Sequence, residues 1–201
     1  MGNKKKERRE TMEHLMRRDI LESTMAVIKT VGVAGLTMEM VAQRADIAKG
    51  TLYLYFKNKQ TLLDEMVMYL FSPMDEYYRD ILNADKTPLE KLDQCARMSL
   101  GFIETHLDLI REMRNCVFAA QIRDIKKKES WYWVAVDCFA AILEDGMARK
   151  EFRPLDSRKT GALFLDAINS LAKQMVYAHT EASVDQDVSL LISLYSRGII
   201  Q

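Results

Sequence analysis

Only three prolines and eight glycines interrupt the 201 residues, and no stretch alternates polar and apolar side chains convincingly. So few breakers exclude a turn-rich β protein and favour helices. Cysteine is scarce as well: Cys95, Cys116 and Cys138 are odd in number, far apart and without a CxxC pair. That excludes a disulfide framework and a zinc ribbon, and points to a reducing cytoplasm. The opening MGNKKKERRE has no apolar segment of the kind a secretory signal needs. No run of 18 apolar residues exists, so no membrane-spanning helix is expected. No GxSxG, HExxH, phosphate-binding loop or dinucleotide-binding fingerprint occurs. His14, His106 and His179 are scattered without metal-ligand spacing. The sequence therefore argues against an enzyme, and no metal or cofactor is expected.

Hydrophobic residues make up 48% of the chain, enough for a sizeable core. The formal net charge is zero, which excludes binding a polyanion by bulk charge alone. The charge is unevenly placed, however. Residues 1–67 carry 12 Lys and Arg against 9 Asp and Glu, and residues 68–201 carry 17 against 20. This fits an N-terminal part facing a nucleic acid and a more acidic remainder.

Helical patterning runs through most of the chain. Residues 7–31 carry a stripe of Ile20, Leu21, Met25, Ile28 and Val31, punctuated by Gly32 and Gly35. Thr37 suits the N-cap of a short helix ending near Ala45. Asp46-Ile47-Ala48 forms a turn, and Lys49–Phe56 is a second short helix. Asn58 can cap the next, which carries Leu62, Leu63, Met66, Val67 and Leu70. Pro73 either kinks that helix or opens another, and Pro88 suits the first turn of a helix over about 88–106. Further helices are expected at roughly 108–122, 128–150, 156–179 and 184–199, with boundaries good to about two to four residues. The expectation is an all-α protein of about nine helices.

Residues 37–59, TMEMVAQRADIAKGTLYLYFKNK, concentrate the chemistry. Two short helices around a tight turn form a helix-turn-helix, whose second helix enters the major groove of DNA. Leu52 and Phe56 lie four apart and can anchor that helix to a core. Lys49 and Tyr53 share the neighbouring side, which Gly50 and Leu54 extend outward. Gly50 would let the backbone come close to DNA. Lys49 can reach a phosphate or a guanine edge, and Tyr53 and Tyr55 suit phosphate oxygens or thymine methyls. Thr37 and Lys59 stand at helix starts, where free N–H groups favour phosphate. The plainer alternative is half-buried tyrosines among solvated lysines.

Ile20 through Val67 resembles the N-terminal DNA-binding domain of the TetR (tetracycline repressor) family of bacterial transcriptional regulators. The residues that carry the resemblance are Gly35, Thr37, Val41-Ala42, Lys49-Gly50-Thr51-Leu52-Tyr53, Tyr55-Phe56 and Lys59. Two positions depart from the family pattern: Asp46 stands at a turn position where Gly is usual, and Ala48 where a capping Ser is common. The resemblance implies that Lys49, Gly50, Tyr53 and Leu54 approach the major groove. It makes Thr37, Thr51, Tyr55 and Lys59 phosphate contacts. It further implies a ligand-responsive dimer, most simply a repressor released from a palindromic double-stranded operator by a small molecule. Activation, or switching by cysteine oxidation, stands as the alternative.

The corresponding division is a basic flexible tail over 1–12, a DNA-binding domain over 13–70, and a helical effector-binding and dimerisation domain over 71–201. For the effector pocket the candidates are Cys95, Met98, Phe102, Cys116, Gln121, Trp133, Asn169 and Tyr177, suited to an apolar or aromatic ligand. For the homodimer interface they are Leu163, Ala167, Leu171 and Gln174 in the penultimate helix, with Val188, Leu191, Ile192 and Tyr195 in the last. The same stripes could equally pack inside one subunit.

Overall fold

A computed structural model describes residues 2–124, 131–177 and 183–200, with backbone alone for 2–5, 7, 9, 118 and 120–124. Ten helices are described: α1 (Gly2–Gly35), α2 (Met38–Arg44), α3 (Lys49–Tyr55), α4 (Lys59–Phe71), α5 (Pro73–Asn83), α6 (Pro88–Thr105), α7 (Leu107–Asp124), α8 (Trp131–Ala148), α9 (Ser157–Tyr177) and α10 (Val184–Ile199). The all-α expectation holds. Pro73 opens a helix rather than kinking one: it occupies the first turn of α5, where its missing N–H costs nothing. None of the described helices is long and apolar enough to cross a membrane.

The helices fall into two compact units. The first holds α1–α4 with residues 112–120 of α7, and the second holds the rest. The leading stretch of the first unit ends at Phe71. The segment expected as a flexible tail belongs instead to α1, which starts at Gly2. Its Lys, Glu and Arg residues are good helix formers, and Lys6 reaches Glu10 one turn on at 3.9 Å. Gly32 interrupts α1 with φ 68° and ψ 172°, a left-handed conformation open to glycine at little cost.

Local chemistry sets the other ends. The Thr37 hydroxyl accepts the Met40 N–H at 3.2 Å and starts α2. The Asn58 Oδ1 accepts the Thr61 N–H at 2.9 Å and starts α4. At α6, the Thr87 hydroxyl accepts from the Glu90 N–H while Glu90 Oε2 accepts from the Thr87 N–H at 2.8 Å, a closed capping box. These hydrogen bonds from Thr87 hold the Glu90 carboxyl below its ordinary pKa.

The core of the first unit is built from Ile20 and Ile28 of α1, Val41 of α2, Leu52 of α3 and Leu62 and Met66 of α4, with Phe56 just beyond α3. Val31, expected in the α1 stripe, is exposed instead, because it lies at the Gly32 break. The core of the second unit contains an aromatic file. Tyr78 of α5, Phe139 of α8, Phe164 of α9 and Tyr195 of α10 meet edge to face, with ring centroids 5.3, 5.2 and 4.8 Å apart. Two glycines let backbones and rings approach. A Cβ on Gly161 would lie 3.1 Å from backbone atoms of α8, and one on Gly146 only 2.2 Å from the Phe152 ring. Phe152 is buried and pairs with Ile200 in an isolated antiparallel bridge, beside a hydrogen bond of 2.8 Å from the Arg153 N–H to the Ile199 carbonyl.

Candidate nucleic-acid interface

The helix-turn-helix forms as the sequence implies. Asp46, at the turn, takes φ 53°, a conformation that Asp tolerates better than most residues. Ala48 occupies the N-cap of α3 in extended backbone with no side-chain hydrogen bond, so the missing cap is a real local weakness. Among the described residues neither Asp46 nor another side chain is seen to replace it. Helix α3 has seven residues, of which only Leu52 is buried. Burying that leucine contributes about 1.5–3 kcal/mol, less than the cost of ordering seven residues. Something further must hold the helix.

Arg17 supplies part of it, and sequence reasoning missed it. Its guanidinium donates to the carbonyl of Tyr55, the last residue of α3, at 3.2 Å. It forms an ion pair with Glu65 of α4 and lies over the Phe56 ring, 4.9 Å from its centroid. One planar cation thus ties α1, the end of α3 and α4 together, a geometry that a lysine would not reproduce. No local signal marks this residue, since its partners lie 38 and 48 positions away.

Lys59 is placed differently from what the resemblance implies. Its ammonium donates to the carbonyls of Val33 and Leu36, at 2.7 and 2.6 Å. That fastens the link between α1 and α2, so the side chain is committed to the protein's own backbone. What Lys59 leaves for a phosphate is the start of α4, with its N–H groups.

The other expected contacts lie on the outer side. Thr37 and Lys49 are exposed, and Lys49 Nζ stands 3.4 Å from Glu39 Oε2. Tyr53 is 44% exposed and Leu54 84% exposed. Gly50 is exposed, and a Cβ built on it would meet nothing within 4 Å. Thr51 and Tyr55 are half-buried at the edges of the same surface. A short helix anchored on one side and bare on the other is the arrangement of a helix-turn-helix DNA reader.

The comparisons with known proteins agree with this class. Residues 20–66 match the family model described as bacterial regulatory proteins, tetR family. The transcriptional repressor KstR2 of Mycobacterium tuberculosis is 28% identical over 145 residues, covering 69% of this chain and 70% of its own. A TetR-family regulator from Mesorhizobium loti superposes with a TM-score of 0.73 at 18% identity, over 94% of this chain and 98% of its own. FadR of Bacillus subtilis, solved in complex with stearoyl-CoA, superposes with a TM-score of 0.67 at 18% identity, over 90% and 98%. Residues 20–66 are thus a DNA-binding domain of the tetR type of bacterial regulatory proteins, and the rest of the chain shares the fold of such regulators.

The pocket candidates differ in burial. Cys95 is fully buried beside a hydrogen-bonded cluster: the Tyr78 hydroxyl lies 2.9 Å from the Ser99 hydroxyl, Ser99 donates to the Cys95 carbonyl at 2.6 Å, and the Cys138 thiol faces the Tyr78 carbonyl at 3.4 Å. Met98 and Phe102 are half-buried on the same helix, and Phe102 stacks on His106 at 4.3 Å. Trp133 is half-buried under the Arg158 guanidinium at 5.1 Å, and Tyr177 is exposed at the end of α9. Cys116 is half-buried in the part of α7 that belongs to the first unit, and Asn169 is half-buried on α9. The side chain of Gln121 lies outside the described residues. Burial pushes the Cys95 thiol well above its ordinary pKa and that of Cys138 up to about 11. Both are therefore protonated near neutrality and lack the thiolate that an oxidation switch needs.

The interface candidates divide. On α9, Leu163 is 64% exposed, Gln174 is exposed, and Ala167 and Leu171 are half-buried. On α10, Val188 and Leu191 are buried in the chain's own core, Ile192 is half-buried, and half-buried Tyr195 packs on Phe164. Val188 and Leu191 are thus corrected: they face inward and offer nothing to a partner. The outward apolar residues of α10 are Leu190 and Leu194, 55% and 61% exposed. Among the described residues no group of three or more His, Cys, Asp or Glu is placed to hold a metal ion.

Proposed function

We propose that this regulator is a dimeric repressor that reads a palindromic operator through α3 and leaves it when an apolar or aromatic small molecule binds the second unit. The observation that carries the DNA-reading part is the outer face of α3, where Gly50, Tyr53 and Leu54 lie open to solvent on a helix that a few inward groups hold in place. On this reading Lys49, Gly50 and Tyr53 approach the bases, and Thr37, Thr51, Tyr55 and the start of α4 at Lys59 approach phosphates. One short helix reads too few base pairs for tight binding, so two copies are needed. The surface favoured for pairing is Leu163, Ala167, Leu171 and Gln174 of α9 with Leu190 and Leu194 of α10. Exposed leucines on neighbouring helices are the usual material of a four-helix interface.

An apolar effector is favoured by the composition of the second unit and by FadR, which shares the fold and takes stearoyl-CoA. Release requires only that the ligand bind the DNA-incompetent state more tightly than the competent one, with couplings typically of about 1–3 kcal/mol. The test is operator affinity with and without a panel of long-chain acyl-CoA thioesters, steroids and aromatic acids. A several-fold loss with one class supports release. Affinity unchanged across the panel removes the apolar effector from the reading.

A further inference from the structure

The outward face of α3 is unusual in what it presents. Leu54 is 84% exposed, the highest value among the large hydrophobic residues of the described chain. It stands on the helix that also holds the fully buried Leu52, and the two point to opposite sides. Gly50 lies four residues before Leu54, one turn away on the same face, and Tyr53 flanks both. Glycine is a poor helix former, and here the protein's own packing does not require it, since a Cβ would meet nothing within 4 Å. Its absence of a side chain is explained by something outside the chain coming close.

The polar inventory of the same helix is thin. Lys49–Tyr55 contains no Arg, Asn, Gln, Asp or Glu, the side chains that pair with guanine, adenine and cytosine edges in the major groove. Its one cation, Lys49, is shared with Glu39 at 3.4 Å. Thr51 and Tyr55 carry hydroxyls but are half-buried, so what the open face presents is an isobutyl group, a phenol ring and bare backbone. Among the four bases only thymine offers the major groove an apolar feature, its C5-methyl group.

We infer that α3 selects its site by apolar contact with thymine methyl groups, with Leu54 as the specificity-determining side chain and Gly50 as the point of closest backbone approach. This rests on the reading of α3 as the DNA-facing helix. Removing the methyl group, by changing thymine to deoxyuridine, keeps every hydrogen-bonding atom and isolates the contact.

The experiment uses the full chain and a duplex selected with it from a random-sequence pool. Each thymine of one half-site is then changed singly to deoxyuridine, and affinities are compared for the parent, Leu54→Ala and Tyr53→Ala. The parent is expected to lose about fourfold at one or two positions, the worth of one buried methyl group. Leu54→Ala should bind the thymine duplex more weakly by a similar factor and show no further loss on deoxyuridine at one of those positions. Tyr53→Ala should keep the loss there. Leu54 is solvated, so its truncation leaves folding intact, which a thermal melt checks. Selective binding that no deoxyuridine change weakens overturns thymine readout and leaves the DNA-binding reading standing. The same holds if Leu54→Ala keeps the parent's full sensitivity at every position. Failure of the chain to select any duplex overturns both.

Discussion

Helix α3 buries one of its seven residues, whereas α8 buries nine of its eighteen. The interior chooses the sequence of α8: Gly146 is there because Phe152 needs the space, and Phe139 because it meets Tyr78 and Phe164 edge to face. In α3 the interior chooses only Leu52, and the remaining positions answer to something else. The helix is held by what lies beside it, namely Phe56 beyond its end and Arg17 across from it. A folded protein can therefore contain a region whose residues serve its own stability and another whose residues serve a partner. Substitutions should separate the two.

The largest effect is expected at Phe164, fully buried between Phe139 and Tyr195. Phe164→Ala should cost about 3–5 kcal/mol of stability in urea unfolding. A loss under 1 kcal/mol would mean that the aromatic file is not a packed core. Gly146→Ala should come next, at about 1–3 kcal/mol, because its methyl group collides with the Phe152 ring. Arg17→Ala crosses the two regions. Removing a hydrogen bond and a part-exposed ion pair that hold the end of α3 should cost about 1 kcal/mol of stability and weaken operator binding as well. Arg17→Lys should recover charge but little affinity; full recovery by lysine would show that the planar fork is irrelevant.

Smallest, and opposite in sign, is Gly50→Ala. With open space around the Cβ, helix propensity predicts a gain of up to about 1 kcal/mol in stability. Operator binding should nonetheless weaken, and a variant at once less stable and equally well bound would reverse the argument. Alkaline pH probes the core side of the comparison. Burial raises the pKa values of Cys95, Cys138 and Tyr78 and brings Tyr195 up to about 12. The folded state therefore holds these protons more tightly than the unfolded chain. Their contribution is fully present below about pH 8.5 and is lost as pH rises through about 11 to 12. Stability that stayed flat to pH 11 would contradict their burial.

Much of this was legible locally. Thr37, Asp46, Asn58 and Pro73 act through neighbours within four residues, so their caps and turns follow from sequence. The helix-turn-helix is legible for the same reason. Residues that act across the fold were not. Arg17 finds Tyr55 and Glu65, and Lys59 reaches back to Val33 and Leu36, with nothing in the spacing to announce it. In α10, two apolar stripes lie one or two residues apart, Val188 with Leu191 and Leu190 with Leu194. Periodicity says that both exist but not which one meets the chain's own core. Burial was not legible from residue type either: nothing in the sequence says that Cys95 is fully buried while Tyr177 is exposed.

The central claim is that α3 works for a partner while the rest of its unit holds it in place. The most direct measurement is the affinity of the full chain for DNA from its own upstream region at two salt concentrations, for the parent and for Lys49→Ala with Tyr53→Ala. The expected result is tight, salt-sensitive binding by the parent, lost in the double variant at an unchanged melting temperature. Equal binding by both proteins at both salt concentrations would contradict the account.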